Sequence, residues 1–466
     1  MEPGFFDRFF RESAALPEVG VEAIRREWLA LHPPNREGVP FAYHIADRRL
    51  PMPVWARRAF TENGQEAWQT LCREVPPINP AKPFCIYVHI PFCAEHCHFC
   101  DCYSFRLASH RERYVSNYLD LLAQEMRLWS RLGTLATRPV STVHFGGGTP
   151  TFLGVKPFER LVSLCREHFA DGSATEWALE STVSELSPEM LSHLDALGFT
   201  RLHIGVQSLQ DEVRQLINRR ATADAVLSTI ADVVEMGWIV SVDLIYGLPG
   251  QTLGGLLSDI RSLVTAGVDG FSLYELQLSS RNRQFARRHG LDRRDRRLNY
   301  LLAQAISSFL TSLGYEKTLF NHFAGVQDTN LYFTFPARGE DLLALGTIAD
   351  GLFGDYHYRH LEYAAYCRGV RDGFPGLQGG LRRNEMENRL QPLVTALMAG
   401  SIPPSLFADP ALQALLSGWR ELLLLAKDPQ TGNLHLTGNG SWFVGNMISQ
   451  LMARMLADER KAADGV

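Results

Sequence analysis

From Phe84 to Leu276 the chain alternates between two hydrophobic patterns. Six short apolar runs, rich in β-branched or aromatic residues, read as buried strands: CIYVHIP (85–91), STVHFGGG (141–148), EWALEST (176–182), RLHIGVQ (201–207), VSVDLIYG (240–247) and DGFSLYEL (269–276). Between them lie RYVSNYLDLLAQEMRLW (113–129), PFERLVSLCREHF (157–169), SPEMLSHLDALGF (187–199), ADAVLSTIADVVEMG (223–237) and TLGGLLSDIRSLVTAG (252–267), whose apolar residues recur at three- and four-residue steps, as in amphipathic helices. Strands alternating with helices predict an α/β fold of parallel strands joined by helical crossovers. In such folds ligands gather at the carboxyl ends of the strands, so the informative residues should follow each strand.

The flanks differ. Residues 1–83 hold short helical pieces broken by HPPN, LPMP and VPPINPAKP, and proline at this density predicts an irregular N-terminal extension. The rhythm stops after Leu276. RNRQFARRHGLDRRDRRL (281–298) reads as a solvated helix face paired with its own aspartates. The helix LNYLLAQAISSFLTSLGY (298–315) follows, then TLFNHFA (318–324) as a strand. The last part, 321–466, reads as a mainly helical second domain, with a late strand in NLHLTGNG (433–440) leading into a final helix. Three segments result: 1–83, 84–320 and 321–466.

A charge of −5 with a pI near 6.3 argues against a nucleic-acid partner. The sequence MEPGFFDRFFRES lacks the pattern of a signal peptide, and no apolar run approaches the roughly 20 residues of a membrane span. Cys72, Cys85, Cys165 and Cys367 are scattered, as in a reduced cytoplasmic protein.

The other four cysteines crowd one loop just after the first strand: Cys93, Cys97 and Cys100 form C-x3-C-x2-C, and Cys102 adds a C-x-C. Structural zinc would need a second cysteine pair, and none follows. A disulfide is out of place in a reduced compartment. Three thiolates on one tight loop suit an iron–sulfur cube with one iron open to a further ligand. Neither His96 nor His98 reads as a ligand; both are expected to face solvent or the loop.

The motif YVHIPFC…C..C.C, with FGGGTPT, GVQSLQ, LINR, DLIYGLPGQT, HFA and LTGNG, resembles the radical S-adenosylmethionine (SAM) superfamily, and within it the HemN-like branch of oxygen-independent coproporphyrinogen III oxidases. The resemblance implies a partial (β/α)6 barrel followed by a HemN-like C-terminal domain. It implies a [4Fe–4S] cluster on Cys93, Cys97 and Cys100, with SAM chelating the open iron and cleaved to a 5′-deoxyadenosyl radical. Gly146, Gly147, Gly148 and Thr149 would border the methionyl end, and Glu180, Gln207, Arg219 and Asp243 would hold the first SAM. Tyr87 and Phe99 would lie beside the cluster, Tyr87 also serving in catalysis. The fourth cysteine, Cys102, is a feature of the branch and not a ligand.

The branch contains decarboxylases, heme chaperones and enzymes that transfer carbon from a second SAM. In place of the oxidase's substrate-associated segment this chain has PFAYHIADRRLPMPVW (40–55), and Thr329 stands where the chaperone has its heme-ligating histidine. In the second-SAM pocket, Tyr332 and Asp350 replace the oxidase's residues, with Gln277 nearby. These departures favour C-methylation or cyclopropanation of a natural-product sp2 carbon using two SAM molecules, with Glu275, His322 and Asp350 as candidate bases. A small-molecule substrate, a flavodoxin- or ferredoxin-type reductant and a monomer complete the expectation, beside the alternatives of coproporphyrinogen decarboxylation and heme carriage.

Overall fold

The computed structural model describes Phe9, residues 20–31 and residues 43–463, apart from 57, 108, 294–295 and 408. The six expected strands are all present: β1 (Phe84–Ile90), β2 (Val140–Gly147), β3 (Glu176–Ser181), β4 (Arg201–Gln207), β5 (Ile239–Tyr246) and β6 (Gly270–Glu275). They pair side by side in chain order, all parallel. Both faces are covered, which is why the runs are almost continuously apolar.

The crossovers are α1 (Arg111–Trp129), α2 (Val155–His168), α3 (Pro188–Ala196), α4 (Ala223–Glu235) and α5 (Leu253–Thr265). Side chains of Ser187, Thr222 and Thr252 cap three of them by accepting backbone N–H bonds. The same three helices end at Gly198, Gly237 and Gly267, each with φ between 82° and 89°, which turns the chain back into the next strand. A sixth helix, α6 (Arg296–Ser312), follows β6.

The sheet continues past residue 321. A hairpin of β7 (Glu316–Leu319) and β8 (His322–Ala324) adds antiparallel to β6, with His322 opposite Ser272. On the other edge, β9 (Asp341–Leu345) lies parallel to β1, followed by β10 (Asp350–Phe353), β11 (Tyr356–His360) and β12 (Leu377–Arg382), all antiparallel. Helices dominate the C-terminal part as expected, but these four strands were not anticipated. The Asp341 carboxylate anchors the junction, accepting from Lys82 Nζ at 2.9 Å and from Arg138 at 2.8 Å. The late strand and final helix appear as Leu434–Leu436 and Gly438–Ala463. In the N-terminal extension, helices Val21–Leu31 and Gly64–Glu74 pack their apolar faces on the core; the prolines of HPPN lie outside the described residues. Among the described residues no helix is long and apolar enough to cross a membrane.

Candidate active site

The loop after β1 lies at the carboxyl ends of the strands, held there by main-chain bonds from several elements. Gly148 N–H donates to Ile90 O at 2.7 Å and Thr149 N–H to Phe92 O at 2.8 Å, tying the loop's start to the end of β2. Asn218 Nδ2 donates to His96 O at 2.9 Å, His98 N–H to Ile217 O at 3.2 Å, and Asn282 Nδ2 to Phe99 O at 2.9 Å. His96 and His98 are exposed, as expected, and His98 Nδ1 lies 3.0 Å from Leu216 O.

The clamped loop walls a cavity of about 390 Å³ with Cys93, Cys97, Cys100, Gly148, Thr149, Glu180, Gln207, Arg219 and Asp243. Among the described residues no three His, Cys, Asp or Glu side chains converge as ligands of a single metal ion. Cys93, Cys97 and Cys100 border a space, which suits a polynuclear cluster, and Cys102 lines the same cavity. Burial pushes the Cys93 and Cys97 thiols up, opposed by the Arg219 guanidinium, while a hydrogen bond from the Cys102 thiol draws Cys100 down to about 6.

The cavity wall also holds polar atoms with no partner. Gln207 Oε1, Arg219 Nε and His203 Nε2 are buried and unpaired, and all three residues line the space. Unsatisfied buried groups are costly, so they mark where a polar ligand belongs. SAM, with an ammonium, a carboxylate and ribose hydroxyls, has complementary chemistry. Gln207 has φ of 63° at a break in the β4–β5 register, a strained position at the site.

The glycine run fits by exclusion. A Cβ on Gly146 would lie 2.7 Å from Glu180 Oε1 and 2.8 Å from the Tyr87 ring; on Gly148 it would lie 2.6 Å from Phe92 O and 3.0 Å from Cys93 Sγ. Glu180 accepts from Gly147 N–H at 3.2 Å and meets His144 Nε2 at 3.1 Å. Burial would raise its pKa, but His144, the Gly147 N–H and His89 hold it below the usual value. Asp243 is in register with Gly205 and Ser272; burial and the Glu180 charge push it up to about 7, against Arg219 and a Ser272 hydrogen bond. Arg219 stacks over Phe99 at 5.7 Å.

Three candidate bases are occupied elsewhere. Glu275 borders the cavity, but its carboxylate is bound by Arg48, by Arg296 at 3.2 Å and by Asn299 Nδ2 at 3.0 Å, and these charges hold its pKa down. His322 does not line the cavity; it sits in the barrel interior between Ser272 Oγ at 2.9 Å and Asp328 Oδ2 at 2.7 Å. Asp350 points to solvent in a bidentate pair with Arg359, at 2.6 and 3.0 Å. Gln277 lines the cavity. Tyr332 does not; it stacks on His144 at 4.3 Å and on Tyr87 at 5.2 Å, and Tyr87 Oη lies 3.1 Å from His89 Nδ1.

Sequence reasoning missed His144, His203, Tyr274 and Asn282. His144 precedes Gly146 by two, so strand alternation places both on the barrel's inner face; that was the available signal.

Three thiols on the loop after the first strand of a parallel barrel, facing unpaired polar atoms at the strand ends, define a radical SAM site. The profile of the Radical SAM superfamily matches residues 87–263. The oxygen-independent coproporphyrinogen III oxidase of Salmonella typhimurium is 31% identical over 320 residues, covering 65% of this chain and 68% of that protein. The anaerobilin synthase of Escherichia coli O157:H7 is 26% identical over 423 residues, covering 87% and 91%. The solved coproporphyrinogen III oxidase (HemN) from Escherichia coli superposes with a TM-score of 0.71 at 26% identity, over 84% of this chain and 94% of that one. The chain belongs to the radical SAM superfamily and, within it, to the HemN-like family, whose members use a [4Fe–4S] cluster and SAM.

Proposed function

We propose that this protein is a radical SAM enzyme whose substrate is a tetrapyrrole. The observation that carries this reading is a second compartment of about 520 Å³ that shares Glu275, Leu276 and Gln277 with the thiol-lined cavity. Its walls include Leu50, Met52 and Leu278, three large apolar side chains 41%, 47% and 46% exposed, and also Arg48 and Arg296. An apolar wall beside two arginines that share one carboxylate, Glu275, suits a broad, flat ligand whose edge brings a further carboxylate. The relatives' names point the same way, since a porphyrinogen and a bilin are both tetrapyrroles.

Cys93, Cys97 and Cys100 would hold the cluster, which when bound supplies the electron that cleaves SAM to a 5′-deoxyadenosyl radical. Around it, Glu180, Gln207, Arg219 and Asp243 bind and orient SAM. The Glu275–Arg48–Arg296 group fixes the wall between the two compartments. Anaerobic titration with iron protoporphyrin and with coproporphyrin tests the substrate site: wild type should shift the ligand's absorption band, and Leu278→Glu with Met52→Glu should abolish the shift. Identical titrations of variant and wild type would defeat the assignment.

A second reading keeps the tetrapyrrole but transfers carbon to it from a second SAM. It is favoured by PFAYHIADRRLPMPVW standing in place of the oxidase's substrate-associated segment. The occupied candidate bases leave the proton acceptor of that reaction unassigned. With CD3-labelled SAM, carbon transfer puts deuterium into both deoxyadenosine and product; unlabelled deoxyadenosine excludes it.

A further inference from the structure

Five arginines of the arginine-rich segment are not paired with its described aspartate, Asp292; the segment's other aspartate, Asp295, lies outside the described residues. Arg281, Arg283, Arg287, Arg288 and Arg293 are exposed, and among the described residues none forms an ion pair with a carboxylate, Asp292 included. Five cations without a carboxylate partner among the described residues, within a stretch of 13, contrast with a chain whose net charge is −5. Four of the arginines lie on or just before the short helix Arg283–Arg288, and this helix is built onto the cysteine loop. Asn282 Nδ2 donates to Phe99 O at 2.9 Å and Arg281 donates to Cys102 O. Buried Phe285 packs its ring 5.8 Å from His98, in one apolar cluster with Phe99. The basic surface is therefore the outer side of the same wall whose inner side carries the thiols.

We propose that Arg283, Arg287, Arg288 and Arg293 form the docking surface for an acidic one-electron donor protein of the flavodoxin type. The inference rests on the radical SAM reading, because only a site that must be reduced needs a donor. The donor loses one electron and the site gains it; no bond or proton changes place. Like-signed arginines beside the loop steer an acidic partner to where the electron path is short, and rim charges of this kind act mainly on association.

The test uses the full-length reconstituted protein and a purified bacterial flavodoxin, with binding measured by surface plasmon resonance at low and high salt. Wild type should bind, and binding should weaken as salt screens the contact. Arg283→Glu/Arg287→Glu/Arg288→Glu should weaken it about tenfold or more. The corresponding alanine variant should fall between, and Arg389→Glu, on the helix Glu385–Ala399, should bind as wild type does. Dithionite-driven deoxyadenosine formation should persist in the charge-reversed variant, while flavodoxin-driven formation falls. Salt-independent binding, undiminished binding by the variant, or capture of an oligonucleotide in place of flavodoxin would overturn the proposal. Failure of wild type to cleave SAM with dithionite would instead strike the radical SAM reading itself.

Discussion

Gly148→Ala is the smallest change that should dismantle the site. The added Cβ would lie 2.6 Å from Phe92 O and 3.0 Å from both Ile90 O and Cys93 Sγ. Two of those atoms are backbone, and the same segment is joined by the 2.7 Å Gly148–Ile90 and 2.8 Å Thr149–Phe92 hydrogen bonds. Ordinary contact begins at 3.4 Å, so the loop must retreat by about 0.8 Å, and overpacking of this kind typically costs about 1–3 kcal/mol. The displaced carbonyl belongs to Phe92, the residue directly before Cys93, whose own Sγ is also met at 3.0 Å. Expressed as affinity for what the thiols hold, that is about 5- to 150-fold. Iron and sulfide content after anaerobic reconstitution, with the cluster absorbance, reads the loss directly. Gly418→Ala is the control: a helical position with nothing within 4 Å, where alanine should leave reconstitution intact. Full iron content and wild-type SAM affinity in Gly148→Ala would refute the reasoning.

Alanine at Cys93, Cys97 or Cys100 should abolish cluster absorbance and SAM cleavage, whereas Cys102→Ala should keep the cluster; equal loss in Cys102→Ala would contradict the ligand set. Asp243, raised to about 7, accepts from ribose hydroxyls through both oxygens, and more strongly, once it has given up its proton. SAM affinity should therefore rise with pH, by at most about tenfold per unit below 7, and level off above it. Anaerobic calorimetry of wild type against Asp243→Asn checks this, and a pH-independent wild type would contradict it. Asp328→Ala removes a partner shared by Arg201, His322 and Ser241 in the barrel interior. It should cost about 3 kcal/mol, because buried Arg201 keeps Glu176 but loses the second of its two carboxylates and buried His322 loses its acceptor. An unchanged Tm would count against that.

The barrel was legible because its signals are local: each strand is an apolar run and each helix a periodic one, and the observed elements end within a few residues of those expected. The strands β9 to β12 were not: DLLAL is a short apolar run that suits a helix as well, and YHYRH and LQGGLR lack an apolar alternation. Pairing with neighbours specifies them. The thiols were legible from their spacing together with their place just after the first strand. The partners of the candidate bases were not legible: Arg48 reaches Glu275 across 227 residues, while Asp350 and His322 find Arg359 and Asp328 only nine and six residues on, through the strand pairing and turn that the sequence pattern does not show. A carboxylate that looks free in a sequence is free only if nothing distant folds onto it. His144 was overlooked for the same reason, since its role depends on Glu180, 36 residues on.

The central claim is that SAM cleavage at the Cys93–Cys97–Cys100 loop acts on a tetrapyrrole. Reconstituted protein, SAM and a reductant should be incubated without oxygen, with and without coproporphyrinogen III or reduced iron protoporphyrin, and deoxyadenosine and tetrapyrrole followed by mass spectrometry. The account predicts that one of these tetrapyrroles raises deoxyadenosine formation and is itself converted in proportion. Deoxyadenosine formation that ignores both tetrapyrroles, with each recovered unchanged, would contradict it.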